Sequence, residues 1–227
     1  ELLGPQFLAL DAKGYLYVTD FGNKRVNKYN QEGDFILSFG GRKNGKRIFD
    51  GPTGIAILNN NIFVADVRKK KIFQFDESGN LLKTYGDTFL WGPEGMYSDG
   101  VDSLFIADTA PFAEKTRILT LDIPREQWSV YADLGKETER LLHLTFDPNG
   151  DLFITDYNQN KIFGLSPLTS LSSGFFVQIE RIDTQKFPEI IMDVSVQDRY
   201  GKPITGLSHN NFIITESSIP VRETFMY

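Results

Sequence analysis

The chain contains no cysteine, and its 227 residues include only two histidines, His143 and His209. The missing thiols exclude disulfides and thiolate metal sites, and they fit either a reducing cytosol or a bacterial exterior. No apolar run approaches the ~18 residues of a membrane span, and the N-terminus lacks the basic-then-apolar pattern of a signal peptide. Positive charge is in deficit as well: 24 Lys and Arg face 30 Asp and Glu, a net charge of -6. That balance gives no overall attraction to nucleic acid or to an anionic membrane, although local clusters can act against the average.

Against these absences stand 41% hydrophobic and 13% aromatic residues, ample for a packed core. The dominant pattern is a unit present four times: a short apolar strand, a turn, and a second strand ending in Asp. The copies begin FLALDAKGYLYVTD, GIAILNNNIFVAD, GMYSDGVDSLFIAD and LTFDPNGDLFITD. Their closing residues Asp20, Asp66, Asp108 and Asp156 lie 46, 42 and 48 residues apart. Such a period signals a propeller or a solenoid. Because the chain starts at Glu1 already inside a unit, the reading expects a piece of a longer protein.

The first unit divides into four strands, residues 7–10, 15–19, 26–29 and 35–39, with Gly-, Asn- and Asp-containing turns between them. The second repeats this at 55–58, 62–65, 72–75 and 81–85. The third carries an insertion at 111–115. The fourth replaces the Gly-Pro opening of the others (Gly4-Pro5, Gly51-Pro52, Gly92-Pro93) with Leu141-Leu142 nearby. Short strands with β-branched and aromatic bias suit four-stranded antiparallel blades. The fold class expected is therefore all-β.

The stretch GPTGIAILNNNIFVADVRKKKIFQFDESGNLLKTYG resembles the NHL-repeat β-propellers, with Gly-Pro, an apolar strand, a strand ending Ala-Asp, a basic residue before the third strand, and a closing aromatic-Gly. The resemblance covers about residues 4–182. It implies four blades of a six-bladed parent, with a closed four-bladed ring as the alternative. An open propeller would leave strand edges able to pair with another chain, so self-association through blade edges is a further expectation. The domain reading is 1–182 for the blades, 183–188 for a linker and 189–227 for a small C-terminal β-module. In that module DVSVQDRYGKPITGLSHNNFIITE resembles the β-segment preceding von Willebrand factor type A domains in bacterial proteins. That resemblance and the absent cysteines imply a bacterial extracytoplasmic location.

Four strand-ending aspartates could place oxygen ligands around an axis for a hard cation. The competing reading has each carboxylate accepting backbone amides of the turn that follows it, and this structural role is the one expected. Catalysis needs an activated nucleophile, a positioned acid and base, or an open metal site. His143 and His209 fall in different predicted domains. No catalytic residues, metal ligands or cofactor are assigned, and an enzyme is not expected.

Charge distribution says more. In an antiparallel blade the loop between second and third strands and the loop to the next blade emerge on the same face. Ten basic residues fall in those loops: Lys24 and Arg25, then Arg42, Lys43, Lys46 and Arg47, then Arg68, Lys69, Lys70 and Lys71. They form either a solvated rim or a site for an anionic partner. Phe49 and Trp91, just before Gly-Pro, are expected to fill gaps between blades, which leaves Phe21 and Tyr157 as aromatic contact candidates. The function expected is a non-catalytic scaffold binding a protein or peptide partner through this face. The alternatives are an anionic polymer, with nucleic acid the less favoured form, and a lactonase-like or lyase-like enzyme.

Overall fold

A computed structural model describes residues 1–43, 45–86, 88–113, 115–148, 150–165, 175–187, 190–198, 203–204, 215–216 and 219–220. The structure is all-β. The first blade comprises β1 (Pro5–Leu10), β2 (Leu16–Asp20), β3 (Arg25–Tyr29) and β4 (Phe35–Phe39), hydrogen-bonded in that order. A two-stranded ribbon, β5 (Arg42–Lys43) and β6 (Lys46–Arg47), leads to the second blade. That blade contains β7 (Pro52–Leu58), β8 (Asn61–Asp66), β9 (Lys71–Phe75) and β10 (Leu81–Tyr85). The third is β11 (Pro93–Ser98), β12 (Ser103–Thr109), β13 (Thr116–Asp122) and β14 (Gln127–Gly135). The fourth shows β15 (Leu141–Phe146), β16 (Leu152–Asp156) and β17 (Lys161–Leu165) among the described residues. The first strands of successive blades lie against one another, and the four sheets follow in sequence as the blades of a β-propeller.

The core lies between blades. Within a strand, side chains alternate between the two faces of the sheet, so each blade carries two apolar faces. Tyr17, Val26 and Phe39 of the first blade pack on Ile55, Val64, Phe73 and Phe75 of the second. Phe63, Ala65 and Ile72 on the second blade's other face meet Met96, Ile106 and Leu119 of the third. Ala107 and Ile118 of the third then meet Leu144, Leu152 and Ile154 of the fourth. Phe49, wholly buried, fills the gap between the first two blades against Phe73 and Phe75, as expected from its place before Gly-Pro.

Close approach of the first strands requires glycine. A Cβ on Gly54 would stand 2.0 Å from the Glu94 carbonyl oxygen, and one on Gly95 2.3 Å from that of Leu142. At the same place in the outer two blades stand Phe7 and His143, whose rings meet edge-on with centroids 5.5 Å apart.

By its internal contacts the chain divides into residues Glu1–Leu165 and Ser166–Tyr227. The sequence reading had carried the blades to Ile182 and placed a linker at 183–188. Instead β18 (Phe175–Asp183) pairs along its length with β19 (Ile191–Asp198), and residues 184–187 belong to the turn that joins them. The ladder explains the difference: β19 satisfies the backbone of β18, and the Asp183 carboxylate caps the turn by accepting from the Gln185 amide. In the same unit β20 (Thr215–Glu216) pairs with β21 (Ile219–Pro220). Pro188, His209 and most of the segment resembling the region before type A domains lie outside the described residues. No helix among the described residues is long and apolar enough to cross a membrane.

Candidate functional site

The strand-ending aspartates organise the loop face. Asp66 is fully buried and accepts from the amides of Asp50 and Gly51 in the loop entering its blade, and from Arg68 and Lys69 in the turn that follows it. Asp156 repeats this with Glu139, Arg140, Asn158 and Gln159. Asp20 accepts from Leu3 and from both the amide and the side chain of Asn23. Asp108 departs from the pattern because residues 111–115 lengthen its turn. Its carboxylate takes the amides of Trp91 and Gly92 and the Arg117 guanidinium at 2.9 Å. These bonds tie the two sets of loops together on one face and commit the carboxylates to structure. Among the described residues no group of three or more His, Asp or Glu could hold a metal ion.

On the first two blades the cations are woven into this face. Lys24 pairs with Asp50, whose carboxyl is held below the usual aspartate range chiefly by that bond. Arg68 lies over the Phe21 ring at 4.9 Å, a cation–π distance. Lys69 donates to the carbonyls of Arg47 and Ile48 at 2.8 and 2.6 Å. Arg25 turns aside to the Glu1 carbonyl and to Asp20. In the ribbon Arg42 stands opposite Arg47, and Lys43 opposite Lys46. The side chain of Lys43 lies outside the described residues. Lys46, Arg47 and Lys70 are exposed, and Lys71 is partly covered beside Asp66. The structure thus gathers Phe21, Lys24, Arg47, Arg68 and Lys69 into one patch.

Tyr157, 60% exposed, belongs to a different part of the same face. Arg140 lies over its ring at 5.3 Å and donates to the carboxylate of buried Glu94 at 2.9 and 3.3 Å. This pair stands in a recess of about 470 Å3 lined by Val67, Gly92, Thr109, Phe112, Glu139 and Asn158, among others. Phe112 is 96% exposed and holds a left-handed backbone, φ 63°, unusual for so bulky a residue. Val67 lines the recess, and the next residue, Arg68, stacks on Phe21, so the recess and the cationic patch adjoin at this turn.

Sequence reasoning missed Glu94, Phe112 and Arg140, although it marked the insertion that carries Phe112 and, one residue late at Leu141-Leu142, the lost Gly-Pro. Arg140 stands where the other units have the Gly of Gly-Pro, and Phe112 lies in the third unit's insertion. The signal was each departure from the repeat.

His143 keeps accessible surface, yet its pKa is held below the ordinary histidine value by burial. Its ring meets that of Phe7, which can neither take nor give a proton.

No family model and no curated protein matches the chain. Solved structures do resemble it. A chain from the crystal structure of a nidogen/laminin complex superposes with a TM-score of 0.61 at 18% identity, over 88% of this chain and 78% of that one. A streptogramin B lyase gives 0.53 at 14%, over 88% and 67%. Catalytically inactive H270A virginiamycin B lyase from Staphylococcus aureus, with quinupristin, gives 0.51 at 14%, over 88% and 69%. At such identities the likeness shows the fold, and the class it defines is the β-propeller.

Proposed function

We propose that the chain is a non-catalytic interaction scaffold of NHL-type blades, which binds a peptide segment of a protein partner across its loop face. The observation that carries this reading is that the Arg140 recess and the Phe21–Arg68 patch adjoin, through Val67 and Arg68. One half offers aromatic surface and a polar recess, and the other offers cations. A fitting partner segment is extended, with an apolar side chain for Phe112 and Tyr157 and acidic residues for Arg47 and Lys70. Exposed rings beside guanidinium groups suit contact surfaces of this kind. The nidogen/laminin neighbour comes from a protein–protein complex, which is a property of that assembly and a motive for testing the same here. A bacterial extracytoplasmic location belongs to the same proposal and rests on the absent cysteines and the tail resemblance.

One observation favours a second reading, an anionic polymer. Arg42 and Arg47 face each other across the β5–β6 ribbon, and like charges directly opposite destabilise a strand pair. A polyanion laid along the ribbon would relieve that repulsion.

Selection from a displayed random-peptide library tests the first reading. Recovered peptides should combine acidic and apolar residues, and Arg47→Glu should release them. Peptides unaffected by Arg47→Glu, or binding to heparin and RNA in place of peptides, would overturn it.

A further inference from the structure

The loop face uses one arrangement twice: an arginine held between an aromatic ring and a buried carboxylate. Arg117 lies over Trp91 at 3.7 Å and over Phe89 at 4.7 Å, and its Nε donates to Asp108 at 2.9 Å. Arg140 lies over Tyr157 at 5.3 Å and donates to both oxygens of Glu94. A guanidinium offers its flat face to a ring and its N–H edge to a carboxylate, so the two contacts do not compete. Arg68 over Phe21 shows the stacked half of the same arrangement.

Phe112 and Glu139 supply the ring and the carboxylate of a third such site without its arginine. Both line the recess beside Arg140. The Phe112 ring is 96% exposed, and no described cation lies over it. Glu139 gives its backbone amide to Asp156, while its exposed carboxylate meets no cation among the described residues. Arg140 is already matched by Glu94, so the charge of Glu139 is the one left over in the described lining.

We infer that the recess takes an arginine side chain of the partner segment, with its guanidinium over Phe112 and against Glu139 and its methylene stem along Val67 and Ala110. In assigning this arginine to a partner segment we rest on the scaffold reading above and deepen it: the side chain that meets Phe112 is apolar along its stem and cationic at its head. Lysine fits less well, because a compact, strongly hydrated ammonium makes neither the flat contact nor the two-pronged bond. The partner segment then carries unlike charges in order, arginine for the recess and acidic residues for Arg47 and Lys70. Complementary charges of both signs fix the register in which it lies.

Blocked single residues isolate the recess from the rest of the face. N-acetylarginine methylamide, its neutral isostere N-acetylcitrulline methylamide, and N-acetyllysine methylamide are each titrated against the full chain by saturation-transfer NMR. The arginine should bind through its side chain, and the citrulline and lysine should bind about threefold or more weakly. Glu139→Gln and Phe112→Ala change exposed side chains that the fold tolerates, and each should weaken the arginine by about threefold. No binding of the arginine, equal binding of citrulline or lysine, or indifference to either substitution would overturn the inference. These outcomes are separable from those of the peptide selection. Selected peptides that Arg47→Glu releases, with no arginine bound here, would leave the scaffold reading standing and remove the arginine site. Arginine bound here, with no peptide recovered, would remove the peptide reading and leave the recess as an arginine site.

Discussion

Arg140 of the fourth blade reaches across to Glu94 of the third, donating to both oxygens of a carboxylate only 6% exposed. Removing one partner of such a pair leaves a charge with little water around it, and that penalty exceeds what the pair itself contributes. Arg140→Ala should cost about 2 kcal/mol, read as a lower urea midpoint. Adding Glu94→Gln should recover part of the loss, because the two sites are coupled. Additive losses would show that the carboxylate is solvated.

The approach of Gly54 to the Glu94 carbonyl makes a sharper packing test. A methyl group there meets backbone, which cannot rotate away. Gly54→Ala should cost on the order of 3 kcal/mol. Gly41→Ala, with nothing within 4 Å of the added carbon, should stay within about 0.5 kcal/mol of wild type. Thermal or urea denaturation of the two variants checks the contrast.

Acid should unfold the propeller in two stages. For Asp20, burial works against ionisation, but hydrogen bonds from Asn23 and the Leu3 amide and the charge of Arg25 outweigh it and lower the pKa. The folded state then binds fewer protons than the unfolded one. Its stabilisation is complete above the ordinary aspartate range near pH 4 and is lost as pH falls through the lower folded-state value. His143, whose pKa burial lowers, acts in the same direction at higher pH: stability falls as pH drops below about 6.5 toward its folded-state value. His143→Gln should remove the upper stage, and Asp20→Asn should diminish the lower one, to which Asp50, Asp76 and Asp122 also contribute, in urea midpoints measured against pH.

Lys70 is exposed on the loop face, in a left-handed turn conformation with φ 55°. Lys70→Glu should leave the unfolding free energy within about 0.5 kcal/mol of wild type while weakening an acidic peptide. A variant that unfolds instead would place Lys70 in the structural frame.

Much of this was legible in the sequence. The strands of the first two blades, the aspartates as structural devices and the filling role of Phe49 follow from residue pattern, because every unit must solve the same packing problem. The end of the repeats was not: β18 has the alternating apolar pattern of a blade strand, and only its partner, β19, distinguishes the two. The loop face was half legible. Sequence placed the cations of the first two blades together, because strand direction alone settles which loops share a face. It could not show that Lys24, Arg68 and Lys69 bind Asp50, Phe21 and nearby carbonyls. Nor could it show that Arg140 crosses to Glu94, since a pair 46 residues apart leaves no local pattern.

The account's central claim is that the partner peptide lies on the loop face, and hydrogen exchange of the protein with a selected peptide bound tests it most directly. Protection should concentrate in residues 45–50, 67–70, 109–112 and 157–160, which carry the patch and the recess. Protection confined to the opposite loops, residues 11–14, 30–34 and 76–80, would contradict it.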